Sequence, residues 1–243
     1  MRALIFSKRN FKEIVRDPLN LSFLFGFSVV LLLLLSAIQA NIPVDMFKIE
    51  HLAPGIAVFG LSFVTLFSAT LISKDRQSSF MHRLYTTPMT SADFILGYTL
   101  PVLPIALVQA IVCYALAAVL GLKINANVML AVALIIPIAL LYIAIGLLCG
   151  SIFNDKQVGG ICGALLTNLS AWLSGIWFDL ELVGGVFKKI AYALPFVHAV
   201  ELQRAAVAGN FADILPHLLW VLGYATLILL LAVWAFLRQM KRQ

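Results

Sequence analysis

The sequence predicts an all-α integral membrane protein with six membrane-spanning helices. The chain has 243 residues, of which 62% are hydrophobic and only 12% are charged, whereas about one quarter of the residues in soluble domains are charged. Six apolar runs contain no Asp, Glu, Lys or Arg, and each is close to the twenty residues that cross a bilayer as a helix. They cover about residues 19–39, 53–73, 94–120, 128–152, 158–178 and 215–237. Their continuous apolar character favours helices, because the strands of membrane barrels alternate in polarity.

Residues 2–17 form a basic, amphipathic segment ahead of the first span. Lys8, Lys12 and Arg16 recur every four residues and therefore share one face of a helix. Such a helix lies in the membrane interface with its cations toward the lipid headgroups. It serves either as a topology anchor or as an elbow helix that packs against a partner. A secretory signal is the alternative, but the apolar run that follows is longer than a signal core.

The next helix should begin at residues 17 and 18. Asp17 is suited to cap its N-terminus, and Pro18 fits its first turn because proline has no N–H to leave unpaired there.

Lysine and arginine are distributed unequally between the two sides of the membrane. Six spans place both termini on one side, which holds Arg2, Lys8, Arg9, Lys12, Arg16, Lys74, Arg76, Arg83, Lys156, Arg238, Lys241 and Arg242. The opposite side holds Lys48, Lys123, Lys188, Lys189 and Arg204. The positive-inside rule then predicts that both termini are cytoplasmic. The net charge of +6 thus concerns topology and anionic lipid, and does not indicate a nucleic-acid partner.

The predicted external segment 179–214 differs from the other loops, which are too short for a domain. It carries seven charged residues in a rather apolar sequence, and two short helical patterns flank Leu194-Pro195. The segment is too charged and too broken to span the bilayer. We expect a re-entrant or interfacial helical pair, since irregular backbone at that depth must be covered by protein.

The spans contain no group that could drive transport by ion or proton binding. His217, near one end, is the only histidine within them, whereas ion-coupled transporters keep charged side chains at mid-membrane. The sequence also has no phosphate-binding loop, no zincin-type His/Glu spacing and no paired acids for a Mg²⁺-diphosphate site. Cys113, Cys149 and Cys162 fall in or at the ends of spans and lack metal-ligand spacing. The pattern predicts a protein that takes its energy from a partner and is not itself an enzyme.

The predicted cytoplasmic loop 74–93 is unusually long for this chain and contains the stretch SSFMHRLYTTPMT. Phe80, Leu84 and, less regularly, Pro88 follow a four-residue spacing, so a short helix could insert apolar anchors into a groove. Pro88 would end that helix. The alternative is an ordinary amphipathic loop that lies on the membrane.

Residues 75–89, followed by Gly97, resemble the cytoplasmic loop of type-2 ABC exporter permeases. The matching positions are Asp75, Arg76, Arg83, Leu84, Thr87 and Pro88. The chain departs from the family pattern at Ser78, Ser79, His82 and Tyr98, where Gly, Thr, Glu and Lys are common. The resemblance extends to the elbow helix, the six spans and the Leu-Pro motif in the external helical pair.

This resemblance implies that the loop contains a coupling helix, which seats in a groove of an ABC ATPase subunit. The coupling residues would be Ser79, Phe80, Arg83, Leu84, Thr87 and Pro88. It also implies two ATPase subunits that bind ATP and Mg²⁺, no cofactor on this chain, and a second permease copy or a sister permease. The expected location is the bacterial inner membrane.

Two polar faces are candidates for the cargo pathway or a dimer contact. Span five carries a face of small residues beside Asn168, namely Gly159, Gly163, Thr167, Ser170 and Ser174. Span two carries a mixed aromatic and hydroxyl face, namely Phe59, Ser62, Phe63 and Thr65. Small residues also let helices pack closely in lipid, so spacing alone leaves both alternatives open. The resemblance implies that spans two and five border the pathway and that spans one and five meet at the dimer interface.

An uncharged pathway with aromatic walls favours apolar or amphipathic cargo, such as a drug or peptide. A lipid or lipid-linked glycan exporter of the same fold is the alternative within transport. A membrane-embedded lipid-modifying enzyme, or a structural or regulatory membrane protein, is the alternative outside it.

Overall fold

The computed structural model describes residues 2–42, 47–78 and 90–240, and these residues contain helices but no strand. The helices are α1 (Arg2–Val15), α2 (Pro18–Asn41), α3 (Ile49–Gln77), α4 (Ser91–Val119), α5 (Ala126–Ile152), α6 (residues 155–172), α7 (Leu180–Val183), α8 (Gly185–Ala193), α9 (Pro195–Ala208) and α10 (Phe211–Met240). The predicted helical fold class is therefore confirmed.

Five of the described helices are long and apolar enough to cross a membrane, namely α2, α3, α4, α5 and α10. They coincide with predicted spans one to four and six, and they support a multi-pass membrane protein. Helix α2 begins where the sequence predicts. The Asp17 carboxylate accepts a hydrogen bond from the backbone N–H of Asn20 at 3.1 Å, and Pro18 occupies the first turn.

Helix α6 differs from the predicted fifth span. It begins at residue 155 and ends at Trp172, whereas the prediction covers 158–178. Its middle part, Gly159–Leu166, is π-helical, and Gly175 has a φ of 71° that only glycine adopts readily. The apolar run thus continues beyond the point where the helix ends, and a sixth span remains a prediction.

Helix α3 lies at the centre of the bundle. In its most apolar stretch 89% of the residues are buried, compared with 22% in α2 and in α10. It packs against α5, α4 and α9, while α10 packs on α5 and α9. Helix α3 is thus the element on which most of the bundle packs.

Two glycines allow α5 to approach the backbone of α3. A Cβ atom on Gly146 would lie 2.7 Å from the carbonyl oxygen of Thr65, and one on Gly150 would lie 2.7 Å from that of Ala69. The Thr65 hydroxyl donates a hydrogen bond of 2.7 Å to the carbonyl of Tyr142 across the same contact. Glycines four residues apart are a known means of close helix packing in membranes, and the sequence analysis did not identify this pair.

The segment predicted as an external helical pair contains α7, α8 and α9. Helix α8 ends at Ala193 and α9 begins at Pro195, so the break between them falls at Leu194-Pro195. Most of α9 is buried between α3, α5 and α10. Whether the pair is re-entrant stays a prediction, as does the interfacial position of α1.

Candidate functional site at the base of the cytoplasmic loop

The predicted coupling residues Ser79, Phe80, Arg83, Leu84, Thr87 and Pro88 lie outside the described residues. The structure does describe the two helix ends that hold this loop, the last turn of α3 and the first turn of α4. We refer to this end of the bundle as the loop end. The polar contacts at the loop end show which helices are joined to the two ends of the loop.

A buried ion pair joins α1 to the last turn of α3. The Arg9 guanidinium donates to both carboxylate oxygens of Asp75, at 2.6 and 2.8 Å, and the Asp75 side chain is only 4% exposed. Arg9 also contacts Glu13 at 2.6 Å on its exposed side. Burial lowers the pKa of Arg9, but hydrogen bonding to Asp75 and the charges of Asp75 and Glu13 outweigh burial and leave the pKa raised. The cation is therefore permanent, and the bidentate geometry fixes the relative orientation of the two helices.

Helix α4 is joined to the same carboxylate. The Tyr98 hydroxyl donates to Asp75 at 2.9 Å, and the Tyr98 ring packs edge-on against Phe6 of α1 with centroids 4.9 Å apart. The Asn10 amide donates to the carbonyl of Gly97 at 3.0 Å. A side chain on Gly97 would collide with the Phe6 ring, so glycine is required for the close packing of α1 on α4.

Arg76 faces the opposite direction and binds the end of α5. Its guanidinium donates to the carbonyl of Gly150 at 2.6 Å and to that of Phe153 at 3.3 Å. These carbonyls lie at the helix C-terminus and lack intrahelical partners, so a cation is favourable there. The neighbouring residues Asp75 and Arg76 thus anchor the end of α3 to different helices. Asp75 binds α1 and α4, and Arg76 binds α5.

The far end of the loop is also fixed. Asp93 accepts a hydrogen bond from the backbone N–H of Thr90 at 3.0 Å, and the Thr90 hydroxyl accepts one from the N–H of Asp93 at 3.3 Å. This capping box starts α4 at Ser91. The loop is therefore held at both ends by specific polar contacts.

The ion pair leads to a testable prediction. Asp75→Asn should lower the stability of the chain by about 1–3 kcal/mol, because a hydrogen bond to a charged group is lost and Arg9 is left half-buried. Partial exposure of Arg9 favours the lower part of that range through solvent screening. Thermal unfolding of the purified chain in detergent measures the effect, and Glu13→Gln is the matched control at the exposed contact. If both variants unfold at the same temperature, the buried pair does not stabilise the loop end.

The small-residue face of span five packs largely inside the protomer. Ser170 and Ser174 are buried, and the Ser170 hydroxyl forms a hydrogen bond of 2.7 Å with that of Tyr142. Thr167 is also buried, and a Cβ on Gly163 would make ordinary contacts with Leu66 of α3. Gly159 and Asn168 are exposed. A pathway or dimer role for this face stays a prediction.

The predicted face of span two is buried as well. Ser62 and Thr65 are fully buried, while the Phe59 and Phe63 rings pack edge to face at 5.9 Å. Phe27 of α2, which is 40% exposed, contacts both rings. An aromatic cluster thus connects α2 and α3, and its proposed contact with cargo remains untested.

The chain matches a known protein family over most of its length. The family model described as ABC-2 type transporter matches residues 2–208. The chain belongs to the ABC-2 type transporter family. The match runs from α1 to the end of α9 and confirms the resemblance to a permease subunit. No curated protein matches the chain.

The loop end accounts for features of this ABC-2 permease that the sequence analysis left unexplained. Gly97 provides room for Phe6, and Tyr98, where lysine is common, supplies a hydroxyl to Asp75. Asp75 belongs to the loop motif, but its partner Arg9 could not be predicted from the sequence, because the two residues are 66 positions apart. Asp75 lies between Lys74 and Arg76 in the sequence, so no sequence signal pointed to a more distant cation as its partner.

Proposed function

We propose that this chain is the membrane-spanning permease subunit of an ATP-driven exporter, coupled through loop 74–93 to a separate ABC ATPase. The observation that carries the proposal is the ABC-2 family match over residues 2–208, which includes the loop motif and both helix ends that hold it. Two ATPase subunits and a second permease copy or sister chain complete the proposed transporter. It would lie in the bacterial inner membrane with both termini in the cytoplasm.

The contacts at the loop end support a coupling function for the loop. Helix α3 is the most buried span, and its last turn is bound to α1 through Asp75 and to α5 through Arg76. A displacement of the end of α3 would therefore be passed to α1 through Asp75 and to α5 through Arg76. Such a connection is what an ATPase needs in order to change the packing of the spans.

The cargo is proposed to be apolar or amphipathic, drug-like or peptide-like. The spans lack charged side chains, and the Phe27–Phe59–Phe63 cluster places aromatic rings where α2 meets α3. Export of a lipid or lipid-linked glycan is the alternative within the same fold. A membrane-embedded lipid-modifying enzyme is the alternative outside transport, and it would need paired acids for a Mg²⁺-diphosphate site.

Purification of the tagged, full-length chain from native membranes in a mild detergent tests this proposal. We expect an ATP-hydrolysing subunit to co-purify, and hydrolysis to rise when an amphipathic cargo is added. Purification without any ATPase, together with Mg²⁺-dependent modification of added lipid, would contradict the transporter proposal and favour the enzyme.

A further inference from the structure

A pair of histidines joins α9 to α10 at the end of the bundle opposite the loop end. The Nδ1 atoms of His198 and His217 are 2.9 Å apart, and Nε2 of His198 lies 3.0 Å from the carbonyl oxygen of Tyr192, in the last turn of α8. His198 is 6% exposed. We call His198, His217 and the Tyr192 carbonyl the histidine clamp, because they connect three helices.

The hydrogen bonds define where the protons lie in the neutral clamp. A carbonyl oxygen can only accept, so Nε2 of His198 carries a hydrogen and donates it to Tyr192. Nδ1 of the same ring then has a free lone pair. His217 must therefore donate its Nδ1–H to His198, since a contact of 2.9 Å requires one donor and one acceptor.

Aromatic contacts reinforce the clamp. The His198 ring stacks on Trp220 of α10, with centroids 4.7 Å apart and an angle of 9°. The Tyr224 hydroxyl donates to the carbonyl of Ala193 at 2.5 Å. Two terminal carbonyls of α8 are thus bound by side chains from α9 and α10. Helix α8 has nine residues, which is too short to be stable without such packing.

The clamp borders a cavity of about 470 Å³, which His217 and Tyr192 help to line. Besides His217, the titratable groups that line this cavity are Tyr192 on α8, Glu201 and Arg204 on α9, Asp213 on α10, His51 on α3 and Asp179 ahead of α7. The Lys188 ammonium lies 5.8 Å from the centre of the Tyr192 ring. Arg204 neutralises Glu201 through a contact of 2.9 Å.

The pKa of His198 is lowered by its environment. Burial lowers it most, and His217 lowers it further, while the hydrogen bond to the Tyr192 carbonyl and the charge of Glu201 act in the opposite direction. Protonation of this ring is therefore unfavourable while the clamp is closed.

We propose that the histidine clamp is an acid-sensitive latch that holds the α8–α9 pair against α10 and releases it when both rings are protonated. One added proton leaves a donor and an acceptor in the Nδ1–Nδ1 contact, now strengthened by the charge. A second proton places two N–H groups of like charge face to face at 2.9 Å, and the contact must open. Release would widen the cavity between α8, α9 and α10.

The direction of the pH dependence follows from the lowered pKa. A group that binds protons less readily in the closed state stabilises that state at high pH. The latch should stabilise the closed state fully above about pH 6.5, which is the ordinary pKa of histidine. This stabilisation should be lost as the pH falls toward the pKa that His198 has in the closed state, which lies below the ordinary value.

Hydrogen exchange of the α8 amides tests the latch in the purified full-length chain. We expect exchange, corrected for its intrinsic pH dependence, to accelerate between about pH 7.5 and about pH 5, by roughly tenfold for each unit by which the closed state lowers the pKa. His198→Gln should remove this response, because it removes the buried ring that resists protonation. His217→Gln should only weaken it, because burial still opposes protonation of His198, while the Gln amide can turn its oxygen toward a protonated His198 and no second charge faces the ring.

His51→Gln is the matched control, since His51 lines the same cavity but lies outside the clamp. It should respond as the native chain does. The proposal is overturned if the native chain shows no acceleration, if His198→Gln still responds, if His217→Gln responds as fully as the native chain, or if His51→Gln alone removes the response. Circular dichroism at both pH values verifies that each variant remains folded.

Discussion

Gly150→Ala should destabilise the protein by about 1–3 kcal/mol, because overpacking a closely packed contact costs energy in this range. The added methyl group would lie 2.7 Å from the Ala69 carbonyl oxygen and 3.0 Å from the Ala69 Cα. Both are backbone atoms of α3, so neither can move aside as a side chain would. The loss would exceed the gain of about 1 kcal/mol that alanine brings to a helix relative to glycine.

Gly163→Ala is the matched control within the same bundle. Its Cβ would meet only the side-chain carbons of Leu66, at 3.5 and 3.6 Å, which are ordinary contacts. This variant should be neutral or slightly more stable, because alanine favours the helix. The temperature at which each chain ceases to be monodisperse in detergent measures the difference. Equal stability of the two variants would refute the close approach of α3 and α5.

Hydropathy was sufficient to predict five of the long apolar helices but not their arrangement. Helices α2, α3 and α10 have similar mean hydropathies of 2.6, 2.1 and 2.3, yet the buried shares of the same stretches are 22%, 89% and 22%. Lipid is as apolar as the interior of a helical bundle, so composition does not distinguish a central helix from one that faces lipid. The central position of α3 therefore had to come from the structure.

The polar sites depend on pairs that are distant in sequence. Asp75 and Arg76 belong to a recognisable loop motif. Asp75 binds Arg9, and Arg76 binds the Gly150 carbonyl, but nothing in the sequence assigns these partners. The His198–His217 contact was missed for the same reason. By contrast, Asp17-Pro18 and Leu194-Pro195 were predicted correctly as helix boundaries, because capping and proline effects act within a few residues.

In the proposed transporter, loop 74–93 transmits the force of an ATPase to the spans. Phe80 and Leu84 share one face of the predicted loop helix and lie outside the predicted spans, so their replacement should leave the chain inserted and folded. Removal of a buried anchor commonly costs about 2 kcal/mol or more of binding energy, which is roughly thirtyfold in affinity. The effect of Arg83→Ala should be smaller if its charge stays solvated at the rim of the groove.

The most direct measurement is the amount of ATPase subunit that co-purifies with Phe80→Ala/Leu84→Ala, compared with the native chain and with His82→Ala. His82 lies about 200° around the predicted helix from Phe80 and serves as the matched control. We predict that the double variant loses the ATPase and the cargo-stimulated hydrolysis, whereas the native chain and His82→Ala retain both. If the double variant keeps its ATPase and exports cargo normally, the loop does not couple the two subunits.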